Sequence, residues 1–226
     1  MTATDQSQPD ATDPALEWRE GGIPVSTRFD DPYFSLAGGL DETRHVFLAG
    51  NDLPARLRPG LHIAELGFGT GLNLLALAQM AGDMALRYTS FEGFPMSVAE
   101  LARAHGAFPE LADLAAELRA GWSAPRFRLR RIEVEIITGD VRASLPDWPG
   151  RADVWFLDGF SPAKNPDMWG EDVMAGVGRH TAPGGTFATY TAAGHVRRAL
   201  QAAGFAVERA PGFAGKRHMS RGRMPG

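Results

Sequence analysis

Apolar residues in this chain concentrate in short strand-length segments, unbroken in Val154 to Leu157 and interrupted by single or paired polar residues elsewhere, and between these segments they recur every three or four positions. A continuous apolar run fits a strand buried on both faces, and the three-to-four spacing fits a helix with one face on a core. Leu61 to Ala64, Leu86 to Phe91, Ile132 to Ile137, Val154 to Leu157 and Thr186 to Thr191 read as strands. Leu72 to Ala78, Met96 to His105, Asp172 to His180 and Gly194 to Ala203 read as helices, the second with Val98, Leu101 and Ala102 on one face, the last with Val196 and Leu200 inward. Phe205 to Glu208 and Lys216 to Ser220 bring the strands to seven. Pro109 to Trp122 reads as an extra amphipathic helix with a packing role, through Leu111, Leu114, Ala115 and Leu118. Alternating strands and helices require right-handed crossovers, so the expected fold is α/β, with a mostly parallel seven-stranded sheet and helices on both faces.

The first 15 residues are polar and expected to be disordered, which leaves 16–226 as one domain. Within it, 16–58 reads as an N-terminal extension. Trp18, Ile23, Val25 and Phe29 suggest a short β element, and Phe29 to Arg44 mixes aromatic and charged residues without a period. The residues alone leave two roles open for it, packing on the sheet edge or covering the site.

Glu65-Leu66-Gly67-Phe68-Gly69-Thr70-Gly71 joins the first strand to the first helix. Three glycines spaced two apart let the backbone turn sharply and approach a ligand closely, so the loop reads as a nucleotide cradle in a Rossmann-like fold. A dinucleotide site would show G-x-G-x-x-G and faces a pyrophosphate. Here the spacing is G-x-G-x-G and Glu65 precedes it, and a carboxylate repels phosphate but attracts a sulfonium or an ammonium. That favours S-adenosylmethionine over NAD. Gly67, Phe68, Gly69, Thr70, Gly71 and Asn73 are the expected cradle.

Ligands of such sheets bind beyond the carboxyl ends of the strands. Four strands end there in an acid: Glu65, Glu92, Asp140 and Asp158. Any one could be a helix cap, but four together suggest a site. Glu65 is expected near the methionine end of the cofactor, directly or through water, and Glu92 on the two ribose hydroxyls, with Gly93 beside it. Asp140 is expected on the adenine amino group, with the Val141 N–H alongside and Phe94 against the ring. Asp158 remains for the reaction and also borders the cofactor. It opens Asp158-Gly159-Phe160-Ser161-Pro162, where amino methyltransferases often carry Asn/Asp-Pro-Pro-Tyr/Phe. An alkylamine is mostly protonated at neutral pH, so a carboxylate that binds the ammonium and accepts a proton suits it. Asp158 is thus the expected catalytic group, with Phe160 shaping the pocket.

Composition narrows the chemistry further. The chain has no cysteine, which excludes disulfides, thiolate zinc sites, iron–sulfur clusters and cysteine nucleophiles, and points methyl transfer to nitrogen or oxygen. No metal is expected. No run reaches the ~20 apolar residues of a membrane span, and the polar start has no signal segment, so a cytoplasmic location is expected. The net charge of −4 hides an asymmetry. Residues 1–118 carry 7 Arg and Lys against 17 Asp and Glu, whereas residues 119–226 carry 16 against 10. From Arg179 onward eight basic residues face only Glu208. This is either a solvated tail or a surface for an anionic macromolecule such as RNA.

With these residues assembled, the chain resembles the methyltransferase domain of bacterial MnmC-type tRNA wobble-uridine modification enzymes. The likeness spans about 17–220. It runs through Phe29 to Ser35, Gly39 to Leu48, Gly67 to Asn73, Ser90 to Glu92 and, most specifically, Asp158 to Trp169, then Arg197-Arg198, Ala203 to Phe205, Gly212-Phe213 and Gly215 to Arg217. It implies a class I S-adenosylmethionine-dependent methyltransferase that converts 5-aminomethyl(-2-thio)uridine in tRNA to its methylaminomethyl form. Charge and likeness together place Arg197, Arg198, Lys216 and Arg217 against the anticodon arm, with Lys164 and Asn165 on the same substrate. Members of the family continue into a flavin-dependent oxidase domain. This sequence ends at Gly226, so no FAD is expected, and the free amine would come from a separate oxidase or be made directly. The alternatives are an enzyme of this fold acting on a small-molecule or protein amine, and a non-catalytic nucleotide-binding module.

Overall fold

A computed structural model describes residues 13–35 and 38–226, so most of the polar stretch expected to be disordered lies outside the described residues. Three short strands come first, β1 (Leu16–Arg19), β2 (Ile23–Ser26) and β3 (Asp31–Pro32), paired antiparallel in a small sheet of their own. Next, α1 (Gly39–Thr43) runs into a π-helical turn, Arg44–Ala49, and α2 (Leu53–Arg56) leads to the main sheet.

That sheet is built from β4 (His62–Leu66), α3 (Leu72–Ala81), β5 (Leu86–Glu92), α4 (Val98–His105), α5 (Ala112–Gly121), β6 (Arg126–Leu129), β7 (Ile132–Thr138), α6 (Val141–Ser144), β8 (Ala152–Leu157), α7 (Glu171–Arg179), β9 (Thr181–Thr189), α8 (Gly194–Ala202), β10 (Ala206–Pro211) and β11 (His218–Arg223). Its order is β10-β11-β9-β8-β4-β5-β7-β6, with β7, β5, β4, β8 and β9 mutually parallel. The sheet therefore has eight strands, not the seven expected. The added one, β6, is antiparallel to β7 at the edge, and its Arg126 and Arg128 bond across to Glu135 and Glu133 at 2.6 and 2.8 Å. An edge strand with charges on one side lacks the apolar run of a central strand, so its sequence reads as a loop.

The central strands bury both faces. On one side Ile63, Tyr88 and Phe156 pack beneath Leu74, Leu77, Leu101 and Leu118, and on the other Trp155, Leu157 and Phe187 meet Val173, Val177, Leu200 and Phe205. Eight of the ten residues of α3 are buried, because α1 covers the flank that would otherwise face water. A helix so enclosed holds its first turn, and the glycine loop before it, in a fixed place.

Candidate active site

The glycine loop runs left-handed, with φ +82° at Gly67, +54° at Gly69 and +73° at Gly71. A Cβ on Gly67 would stand 2.9 Å from the Asp158 carbonyl oxygen, so this glycine is what lets the loops after β4 and β8 touch. A Cβ on Gly69 would stand 3.1 Å from the Tyr33 ring. Around this loop a cavity of about 1080 Å³ opens at the carboxyl ends of β4, β5, β7 and β8. The segment from Arg28 to Ser35, with Gly39, Glu42, Thr43 and Phe47, forms the opposite wall.

Three of the four acids are held in ways the sequence does not reveal. Glu65 is fully buried and is not part of the cavity wall. It sits opposite Ser90 in the β4–β5 register, accepts from Ser90 Oγ at 2.7 Å, and accepts from Asn73 Nδ2 at 2.9 Å. The expectation that it meets the ligand is corrected: it reaches the cavity only through Asn73. Burial pushes its carboxyl up to about 8, against the pull of those two donors, so at neutral pH it is largely protonated. Glu92 does line the cavity, and each of its oxygens accepts one backbone N–H at 2.7 Å, from Gly69 and from Phe94. Burial raises it too, opposed by these backbone donors. Each oxygen retains further acceptor capacity. Asp140 caps α6 at the cavity rim, where Arg142 folds back on it, Nη2 to Oδ2 at 2.6 Å, and joins it to Asp167 at 2.8 Å. The Arg142 hydrogen bonds hold the Asp140 carboxyl below its usual range. Its expected adenine contact therefore competes with a guanidinium, while Val141, Gly93 and Phe94 line the same wall.

Asp158 lines the cavity and is half-buried. Its Oδ2 accepts from Asn73 Nδ2 at 2.8 Å and its Oδ1 from the Gly159 N–H at 2.8 Å. Burial lifts its carboxyl to about 7; Asn73 and Gly159 pull it down, Glu42 adds to the rise and Lys216 opposes it. A carboxyl poised there exchanges a proton readily at neutral pH. Asn73 gives one amide hydrogen to each acid, and its own Oδ1 accepts from Thr43 Oγ1 at 2.9 Å.

Phe160 stands in an aromatic wall, stacked on Phe29 at 4.7 Å and edge-on to Tyr33 at 4.9 Å, while Phe29 also meets Phe94. Arg28 covers the Phe94 ring at 4.4 Å. The extension is tied down beside this wall, because Asp31 accepts from the Ser161 N–H at 2.8 Å and Lys164 bonds to Asp30 and lies 3.7 Å from Asp31. Lys164, a residue the sequence assigns to the substrate, pairs with the extension and does not line the cavity. Asn165 and Lys216 line the cavity. Arg197, Arg198 and Arg217 do not, and no described carboxylate forms an ion pair with any of the three. Two further residues of the cavity wall carry no local sequence signal: Glu42, hidden in mixed patterning, and Tyr190, whose hydroxyl donates to the Gly159 carbonyl at 2.7 Å. Tyr190 follows β9 at the same end as the acids, a placement that could have flagged it.

Among the described residues no helix is long and apolar enough to cross a membrane, and no three His, Cys, Asp or Glu cluster to hold a metal ion. An eight-stranded α/β sheet with a glycine cradle and acids at its carboxyl edge defines a nucleotide-binding enzyme fold. Residues 109–225, just over half of the chain, match the family described as S-adenosyl-L-methionine-dependent methyltransferase, and the chain belongs to that family. It is similar to the tRNA 5-methylaminomethyl-2-thiouridine biosynthesis bifunctional protein MnmC of Ectopseudomonas mendocina (strain ymp), 46% identical over 230 residues, covering 94% of this chain and 35% of the relative. The protein of the same name from Caulobacter sp. (strain K31) is 44% identical over 236 residues, covering 96% and 39%. The chain thus spans well under half the length of these relatives and corresponds to their methyltransferase part. In fold it resembles the crystal structure of MNMC2 from Aquifex aeolicus (TM-score 0.74, 22% identity, 96% and 74% of the two chains). It also resembles a methyltransferase from Pyrococcus furiosus (TM-score 0.53, 15% identity, 84% and 85%).

The cavity fits S-adenosylmethionine by its own chemistry. Glycines admit the ligand close to the backbone, Glu92 keeps acceptor capacity for a vicinal diol, and Asp158 offers negative charge to a sulfonium or an ammonium.

Proposed function

We propose that the chain methylates the primary amine of 5-aminomethyl(-2-thio)uridine at the tRNA wobble position, giving the methylaminomethyl form. The observation that carries this reading is Asp158: a half-buried carboxyl raised towards neutrality, fixed by Asn73 and Gly159, in a cavity walled by aromatic rings. The bound cofactor supplies a methyl group on a positively charged sulfur. Asp158 holds the substrate ammonium, whose ordinary pKa is about 10, and accepts a proton so that the nitrogen presents its lone pair. Asn73 keeps the Asp158 oxygens aimed, and the Phe29–Phe160 wall excludes water and offers a surface to the uracil. Glu92 and the glycine loop hold the cofactor, with Phe94, Val141 and the Asp140–Arg142 pair at its far end.

The relatives' name, which specifies tRNA modification, supports an RNA substrate. So does the charge, since among the described residues Arg197, Arg198 and Arg217 form no ion pairs, whereas Arg126, Arg128 and Arg130 are paired with Glu135, Glu133 and Glu117. The cytoplasm, where tRNA is found, is the corresponding location. FAD has no part in the methyl-transfer step itself. The test is mass spectrometry of wobble nucleosides after incubating tRNA bearing 5-aminomethyluridine with protein and S-adenosylmethionine. A gain of one methyl group on that nucleoside is expected. An unmodified nucleoside, with methyl transfer to free amines instead, would overturn the reading.

A further inference from the structure

One rim of the cavity holds an internal cation on an aromatic face. Lys216, in the turn between β10 and β11, places Nζ 2.6 Å from Glu42 Oε1 and 4.9 Å from the centre of the Tyr190 ring. Tyr190 is fixed from behind by its bond to Gly159 and by Trp169, which meets its ring edge-on at 6.4 Å. All three side chains line the cavity that contains Asp158.

An aromatic face flanked by a carboxylate is an ammonium-binding arrangement, since the ring quadrupole and the anion attract the same cation. The turn does not depend on the Lys216 side chain. It is closed by backbone bonds, Lys216 N–H to the Phe213 carbonyl at 3.0 Å and Gly212 N–H to the Arg217 carbonyl at 3.5 Å. The Lys216 side chain is 48% exposed against 13% for Glu42, so the cation is the loosely held partner and the anion the built one. Another cation can replace it at small cost.

We propose that Glu42 and the face of Tyr190 form the subsite for the substrate's ammonium group, and that Lys216 fills this subsite until a substrate amine displaces it. The inference rests on the amine-substrate reading and adds the groups that select a cationic substrate. Asp158 then receives a nitrogen already positioned at the neighbouring wall.

Benzylamine, a primary ammonium on an aromatic ring, and benzyl alcohol, its neutral counterpart, test the subsite without RNA. Their binding is followed by NMR titration of the wild type, Lys216→Ala, and Lys216→Ala combined with Glu42→Gln or with Tyr190→Leu, each first shown by calorimetry to bind S-adenosylmethionine. The single variant should bind benzylamine at least about tenfold more tightly than wild type does and prefer it to the alcohol, and either added substitution should remove that preference. An absent preference in Lys216→Ala, or one that survives Glu42→Gln, overturns the proposal. Failure to methylate tRNA bears on the substrate and leaves this titration unaffected.

Discussion

Glu65 and Asp158 share one side-chain amide: Asn73 Nδ2 donates to the first at 2.9 Å and to the second at 2.8 Å. Both carboxyls are raised by burial, and Asn73 is among the groups pulling each back. Asn73→Leu removes both donors at similar volume. Hydrogen bonds to charged groups are worth about 1.5–3 kcal/mol, or roughly one to two pKa units. The midpoint of the pH–rate profile should therefore move up by about one unit or more. An unmoved midpoint would show that Asn73 does not tune Asp158.

Asp158→Asn keeps shape and one acceptor but loses the charge and the proton exchange. Methyl transfer should fall at least about a hundredfold at neutral pH. In the wild type the rate should rise with pH through about 7, as Asp158 ionises. The variant should lack that limb and regain activity only as the substrate amine itself deprotonates. Near-normal activity in a folded, cofactor-binding Asp158→Asn protein would remove Asp158 from the mechanism.

Glu65 sets a pH dependence of stability. Its folded carboxyl titrates near 8 instead of its ordinary 4.5, so between those values the folded state binds more protons than the unfolded one. Stability is therefore full below the ordinary value and declines as pH rises towards 8. Glu65→Gln, with its amide group turned to Ser90 and its oxygen to Asn73, should flatten the fall in Tm between pH 5 and 8. A Tm slope equal to that of wild type would mean Glu65 does not titrate in this range.

Glu92 anchors the backbone at Gly69 and Phe94 as well as facing the cavity. Glu92→Ala removes the proposed diol acceptor and frees the loop, so calorimetric affinity for S-adenosylmethionine should drop at least about tenfold. Unchanged affinity would move the ribose site elsewhere.

Arg198 and Arg217 do not line the cavity and form no ion pair with any described carboxylate. Reversing both to Glu should raise the KM for tRNA, flatten the dependence of binding on log salt and leave cofactor affinity alone. An unaltered salt slope would exclude this surface from RNA binding.

The parallel strands were legible from their apolar content, most plainly in β8, although β7 keeps Glu133 on an exposed face, and α4 was legible as a helix while its Val98 turns out to solvent. β6 was not, since Arg126 and Arg128 alternate with Phe127 and Leu129 and resemble a charged loop. The positions of the acids were legible for the same reason, each lying at the end of an apolar run, but not their depth. Whether Glu65 meets solvent depends on Asn73 and Ser90, and Asp140 on an arginine two residues ahead of it. Lys164 and Glu42 depend on partners more than 130 positions away in sequence, Asp30 and Lys216, which no local pattern encodes.

The turn between β10 and β11 brings residue 216 beside residue 42, and β11 enters the sheet between β10 and β9. The wall that would receive a substrate amine is therefore assembled from both ends of the chain. A polypeptide emerging from the ribosome can form the glycine cradle and its four neighbouring strands early, but Lys216 reaches Glu42 only after the final hairpin has paired with β9. Contacts of such sequence separation form late. Lys216 therefore joins the wall beside Glu42 only where the hairpin of β10 and β11 is paired with β9.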